Sequence, residues 1–281
     1  MQRIALPWVV YKLTGSALLL GIVSFAGQIP TFLLAPLAGV VTDKFSKYRI
    51  LVITQIAALI QALILAVLAL AGIMEIWHII VLSIALGCIN AFDVPSRHSF
   101  VIEMVERKED FGNAIALNSL MFNGARLIGP SVAGLMLSTA GEGICFLINA
   151  ISYLFVIISL SLMRVPVRET VKKSGDMLKE MKDGLSYTFG FPPIKHILIL
   201  LSVVSLLGAS YQVLMPVFAK EILNGSSKTY GFLMGAAGLG ALAGALFLAS
   251  RRSVVMLGRT IPAASGLFGL GLVILSFTGN F

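Results

Sequence analysis

Charge is what this chain has least of. Asp, Glu, Lys and Arg make up 12% of its 281 residues, against 58% for hydrophobic types. Soluble domains carry roughly twice that charge. So little polar surface cannot clothe a water-soluble core, and the mean hydropathy of +0.96 agrees. Cysteine is nearly absent. Cys88 and Cys145 both lie inside apolar runs, so they read as small buried hydrophobes, with neither a disulfide framework nor a metal site expected. His78, His98 and His196 are scattered near the ends of apolar runs and form no ligand cluster. A G-x-x-x-x-G-K-[ST] loop is missing, which argues against ATP-driven work by this chain alone. Gly238-Leu-Gly240-Ala-Leu-Ala243 fits G-x-G-x-x-A, but it sits inside an apolar run without the strand that a dinucleotide site needs. No nucleophile–base arrangement supports an enzyme, and no cofactor or catalytic residue is expected. The net charge of +8 would suggest nucleic acid in a soluble protein. No basic helix or stacking platform accompanies it, so the expected partner is the lipid bilayer.

Long apolar runs are what the chain does have. Eight are long enough to span a bilayer at 1.5 Å per residue: Ser16–Val41, Ile50–Gly72, Ile76–His98, Gly112–Thr139, Glu142–Met163, Ile194–Phe218, Tyr230–Ser250 and Thr260–Gly279. Met1–Val10 is too short to span and carries Arg3; it reads as the end of a preceding span, counted here as span 1. The expectation is an all-α polytopic membrane protein. Arg164–Pro193 is the one long polar connection, with an amphipathic helix expected over Asp176–Phe189, where Met177, Leu178, Met181, Leu185 and Phe189 recur at helical spacing. It divides the chain into an N-terminal half (residues 1–163), a linker (164–193) and a partial C-terminal half (194–281).

Basic residues set an orientation. Lys44, Lys47 and Arg49 follow span 2; Arg97, Arg107 and Lys108 surround the end of span 4; Arg164, Arg168, Lys172, Lys173, Lys179, Lys182 and Lys195 crowd the linker; Arg251, Arg252 and Arg259 follow span 8. The opposite loops hold Lys12, Lys220 and Lys228. The rule that cytoplasmic loops carry the excess Lys and Arg places the first set inside. Six spans, a basic linker and further spans form the grammar of a two-half transporter.

Two local patterns sharpen this. Span 2 closes on Gly39-Val-Val-Thr-Asp43-Lys44-Phe-Ser46-Lys47-Tyr-Arg49. A small residue one turn before an acid lets a neighbouring helix approach. The acid lies at a helix C-terminus, where the dipole disfavours it, so it needs a partner from elsewhere. In span 5, Arg126-Leu-Ile-Gly129-Pro130-Ser-Val-Ala133-Gly134 combines a charge, a bend and small residues for close packing. A charge at this depth costs about 2.5–3.5 kcal/mol even on the lenient insertion scale, so Arg126 should face the interior. Asp93 on span 4 is its best intramembrane anion. The two side chains lean together across a depth gap of about 9 Å, six residues at 1.5 Å each. Asp93 pairing with Arg97, one turn along its own helix, is the competing arrangement. Gln28, Asn113, Asn118, Asn123 and Asn149 are candidate cavity groups, with ordinary interhelical hydrogen bonds as the alternative role. Gly231, Gly235, Gly240 and Gly244 read as a close-packing face of span 8.

The span 2 pattern resembles the signature loop of the major facilitator superfamily, G-x-x-x-D-[RK]-x-[GS]-[RK]-x-[RK], on Gly39, Asp43, Lys44, Ser46, Lys47 and Arg49. Ser46 stands for the commoner Gly and Lys44 for the commoner Arg. The span 5 pattern resembles that family's G-P-x-x-G-G exporter motif, with Ala133 replacing one glycine. Met1-Gln-Arg-Ile-Ala-Leu-Pro7-Trp8, Asp93-Val-Pro95-Ser-Arg97, Asn113-Ala-Ile-Ala-Leu-Asn118, Cys145-Phe146-Leu-Ile-Asn149 and Met163-Arg164-Val-Pro166 are similar to the enterobactin-exporter and macrolide-efflux branch. The resemblance implies a major-facilitator two-half bundle, incomplete here, in the bacterial plasma membrane. It implies a proton-coupled exporter of a small amphiphile such as a siderophore, macrolide or other drug, monomeric when full length. It also implies that the span 2 loop latches the halves on the cytoplasmic side in the outward-open state. The family has two six-span halves, so the chain would hold the end of span 1 through span 9. A partial sequence and a truncated, non-transporting product both fit; a passive pore is the further alternative.

Overall fold

The structure is a computed structural model describing residues 1–105, 107–163, 186, 189–208, 210–249 and 257–278. Most of the amphipathic helix expected over Asp176–Phe189, the basic linker residues from Arg164 to Lys182, and Arg251 and Arg252 lie outside the described residues. Those described are helical: α1 (Gln2–Thr14), α2 (Ala17–Lys44), α3 (Lys47–Leu70), α4 (Ile76–Glu103), α5 (Phe111–Thr139), α6 (Gly141–Leu162), α7 (Pro192–Gly208), α8 (Ser210–Val217), α9 (Ser227–Ala249) and α10 (Leu257–Phe277). Helix α1 corresponds to Met1–Val10 of the expected span 1, α2 to α6 to the expected spans 2 to 6, α7 and α8 together to span 7, and α9 and α10 to spans 8 and 9. Eight segments are long and apolar enough to cross a membrane, as the sequence leads one to expect.

Turn chemistry explains where the helices stop. Gly15 adopts a left-handed φ of 61° and its N–H returns to the Tyr11 carbonyl, ending α1. Ser16 caps α2 by accepting from the Leu19 N–H at 3.3 Å. Gly141, at φ 83°, takes a left-handed backbone conformation between α5 and α6 that a residue with a side chain would adopt only under strain. Pro30, Pro36, Pro95 and Pro130 sit inside helices, where neighbouring spans tolerate the lost donor.

Small residues set the closest helix contacts. A side chain at Gly87 of α4 would strike the Gly27 carbonyl of α2, and the Thr31 hydroxyl donates to the Gly87 carbonyl at 3.0 Å. On α5, a Cβ at Gly134 would lie 2.6 Å from the Gly231 Cα of α9. Gly235 meets Ser131, and Gly238 meets the Arg126 and Leu127 backbone. The face of α9 turned to α5 is therefore Gly231, Gly235 and Gly238. Gly240 and Gly244, expected on it from the sequence, have nothing within 4 Å, because they lie on the other side of the helix. Gly129 likewise faces open space while Gly134 is packed. Many large apolar side chains are exposed, Phe32 at 77% and Leu162 at 79% among them. Such surface in a polytopic protein meets lipid.

Candidate functional site

The two halves meet unequally along their length. One continuous apolar core contains Val9 and Val10 of α1, Leu20 of α2, Leu65 of α3, Ile79 of α4, Phe146 of α6, Met215 of α8 and Tyr230 of α9. All of these lie toward the end opposite the basic loops, and the cluster crosses from the N-terminal half into the C-terminal part. At the basic end the buried cluster is Leu51, Phe100 and Leu160, with Tyr48 and Val52 packed on it. That cluster belongs wholly to the N-terminal half. Helix α8 packs against α1 and α2, whereas α7, the basic-end part of the same span, packs against α8 and α10 of its own half. Among the described residues the buried contacts shared by the two parts thus concentrate at the end opposite the basic loops, with α5 and α9 packed together from Gly134 and Gly231 down to Arg126 and Gly238.

Polar contacts reinforce the seal. After α8 the chain makes a π-helical turn, Phe218–Ile222, which places two successive charges at the boundary. The Tyr11 hydroxyl donates to Glu221 at 3.1 Å, and the Lys220 ammonium lies 5.2 Å from the Tyr11 ring centroid. Trp8 stacks on the buried Tyr230 at 6.0 Å between centroids. Lys12 pairs with Glu142 beside them. The sequence reading singles out Lys12 and Lys220 as sparse cations of the opposite loops and Trp8 in the opening run; Tyr11, Glu142 and Glu221 escape it. Their partners lie as many as 210 positions away.

Inside the N-terminal half, Asp93 is 4% exposed. Its Oδ1 accepts from the Thr54 hydroxyl at 3.0 Å and the Gln55 amide at 2.7 Å, both on α3. Its Oδ2 accepts from the Arg97 guanidinium at 2.5 Å. Of the two arrangements open from the sequence, the structure adopts Asp93–Arg97 rather than Asp93–Arg126. The reason is geometric: residues four apart share a helix face, and α3 supplies two donors that satisfy the other oxygen. Arg126 instead places its guanidinium 5.0 Å from the Phe122 ring centroid.

A second chain of polar contacts crosses four helices. The Gln2 amide donates to Gln61 at 3.2 Å, Asn149 donates to Gln2 at 3.1 Å, and Gln61 donates to the Leu82 carbonyl at 3.2 Å. Of the five cavity candidates, Asn149 alone joins such a network. Asn123 bonds its own helix at Ser119, and Gln28, Asn113 and Asn118 are exposed without a side-chain hydrogen bond among the described residues. Thr54, Gln55 and Gln61 escaped the sequence reading. Their clustering on one otherwise apolar span was the available signal.

The span 2 pattern forms a two-residue turn at the basic end. Lys47 pairs with Glu103 of α4, and Thr42 and Ser96 face each other at 3.3 Å beneath it. Asp43, Lys44, Ser46 and Arg49 are exposed, and Asp43 has no ion pair among the described residues. Nothing lies within 4 Å of a Cβ built on Gly39.

Comparison with known proteins adds a separate line. A family described as transmembrane secretion effector matches residues 1–281. The staphyloferrin A transporter of Staphylococcus aureus is 26% identical over 272 residues, 96% of this chain and 68% of that protein. The multidrug efflux pump Tap of Mycolicibacterium fortuitum is 24% identical over 286 residues, 98% of this chain and 68% of the pump. Macrolide efflux protein A of Streptococcus pyogenes is 19% identical over 186 residues, covering 66% of this chain and 46% of that protein.

Proposed function

The chain belongs to the transmembrane secretion effector family of major facilitator transporters, a family of multi-pass cell-membrane proteins rather than enzymes, and from that membership we propose a secondary active exporter working by alternating access. Its cargo is a small amphiphile taken from the cytoplasm, and protons moving inward drive it. The observation that carries this reading is the unequal closure of the two halves. One end holds a shared apolar core and the Tyr11–Glu221 and Trp8–Tyr230 contacts; at the other, the buried cluster among the described residues lies within the N-terminal half, which in this reading leaves a cleft between α7 and that half. With the basic end inside, this is a cargo-loading state. A closed outer end also disfavours a passive pore.

The span 2 loop fits that state. A latch between halves is undone when the cleft is open, and Asp43 accordingly has no ion pair among the described residues. On closing, Asp43 gains a partner from the other half while the outer seal parts. Asp93 is the coupling group in this reading. It is the one carboxylate at mid-depth among the described residues, and its proton state decides whether Arg97 is neutralised.

Reconstitution in liposomes with an imposed proton gradient tests this. Siderophore, macrolide and dye efflux should follow the gradient and collapse with a proton ionophore. Asp93→Asn should abolish the gradient response while leaving downhill exchange. Ionophore-insensitive efflux, or an unchanged gradient response in Asp93→Asn, overturns proton coupling through this residue.

A further inference from the structure

The charges at mid-depth do not balance. Arg3, Arg97 and Arg126 stand against Asp93, and the ion pair formed there is Asp93–Arg97. Arg3 and Arg126 are exposed and have no ion pair among the described residues. Yet neither is near a membrane surface. Arg3 lies eleven residues in from Thr14 at the end of α1, and Arg126 thirteen in from Thr139 at the end of α5. At 1.5 Å per residue these are depths of about 17 and 20 Å, matched to each other and beyond the headgroups.

Both face inward. Arg126 is one heptad before Ala133 and eleven residues before Leu137, so it shares the α5 face whose buried residues join the N-terminal core. Phe122, one turn further toward the basic end, holds its guanidinium by the ring face. Arg3 is one heptad before Val10, so it shares the α1 face that joins the same core. Tyr153 lies one turn along α6 from Asn149, within electrostatic reach of Arg3, Arg97 and Asp93. Two guanidinium groups without an ion pair among the described residues therefore lie at one depth on the neighbouring helices α1 and α5, with Tyr153 near Arg3. Intramembrane ionisable residues without a structural partner mark ligand pathways, and guanidinium forks match carboxylates in geometry.

We propose that the cleft is an anion-selective site, in which Arg3 and Arg126 hold a carboxylate of the cargo and Tyr153 donates a further hydrogen bond to it. This rests on the transport reading and narrows its cargo to carboxylate-bearing amphiphiles over cationic ones.

The test uses three matched probes: dansyl glutamate, its neutral dimethyl ester and the cation dansyl cadaverine. Binding is read by dansyl fluorescence with the protein in nanodiscs, and transport by gradient-driven flux in liposomes. Dansyl glutamate should bind about tenfold or more tighter than either other probe, the size of a charge-assisted hydrogen bond. Arg3→Gln and Arg126→Gln should each erase that preference, and Arg3→Lys should retain part of it. Selectivity of the unmutated protein is read first, so the result does not depend on whether the variants fold. Equal or cation-favouring binding, no binding of dansyl glutamate, or a preference unchanged in both Gln variants overturns the proposal. An Arg-dependent preference without flux of any probe upholds the site and sinks the transport reading. Flux of all probes without charge preference does the reverse.

Discussion

Replacing Gly231 by alanine should force the outer seal apart. The added Cβ would lie 2.7 Å from the Gly134 Cα and 2.8 Å from the Pro130 carbonyl oxygen. Both are backbone atoms of α5, so no flexible side chain can yield. Ordinary contact begins at 3.4 Å, so α5 and α9 must separate by about 0.7 Å (3.4 minus 2.7). Overpacking of this kind costs about 1–3 kcal/mol. The gain in helix propensity from Gly to Ala is present in every conformation of an intact α9, so it cancels from the conformational balance. The full penalty therefore falls on the sealed state, shifting the equilibrium about 5- to 150-fold toward the form with parted outer ends. Spin labels at Leu13 and Lys228, with distances read by double electron–electron resonance in nanodiscs, report that separation. The distribution should move to longer distances in Gly231→Ala. Gly240→Ala is the control, since nothing lies within 4 Å of its Cβ position. An unchanged distribution in Gly231→Ala, or an equal shift in Gly240→Ala, refutes the reasoning.

Two predictions concern the N-terminal half. Asn149→Leu removes the donor to Gln2 and should lower stability by about 0.6–1.7 kcal/mol, the range measured for interhelical hydrogen bonds; unfolding by denaturing detergent measures it, and no loss would show that the contact contributes nothing. Lys47→Met should cost about 0.2–1 kcal/mol through its pair with Glu103, and Glu103→Gln on top should add little. Strictly additive effects in that double-mutant cycle would deny the interaction.

The spans were legible because the membrane imposes a crude rule. A helix must be apolar for about twenty residues, whatever packs beside it. Polar and charged interruptions marked the turns, and the span 2 and span 5 patterns marked the family. The same crudeness hid the site. Helical periodicity fixes which residues share a face of one helix, but not which neighbour that face meets. It allowed Asp93 to pair with Arg97 or with Arg126. The choice came from Thr54 and Gln55 on another span, which occupy the remaining carboxylate oxygen.

The sequence by itself determined that the chain lies in a bilayer, which loops are basic and which family it resembles. Each of these follows from transfer free energy or from a contiguous run of residues. Tertiary structure alone decided that the shared core and the Tyr11–Glu221 contact lie at one end, and that Arg3 and Arg126 have no ion pair among the described residues. Those facts depend on contacts between helices distant in sequence, and in lipid such contacts are set by small-residue fit and polar satisfaction rather than by hydrophobicity. An average over composition carries no trace of either.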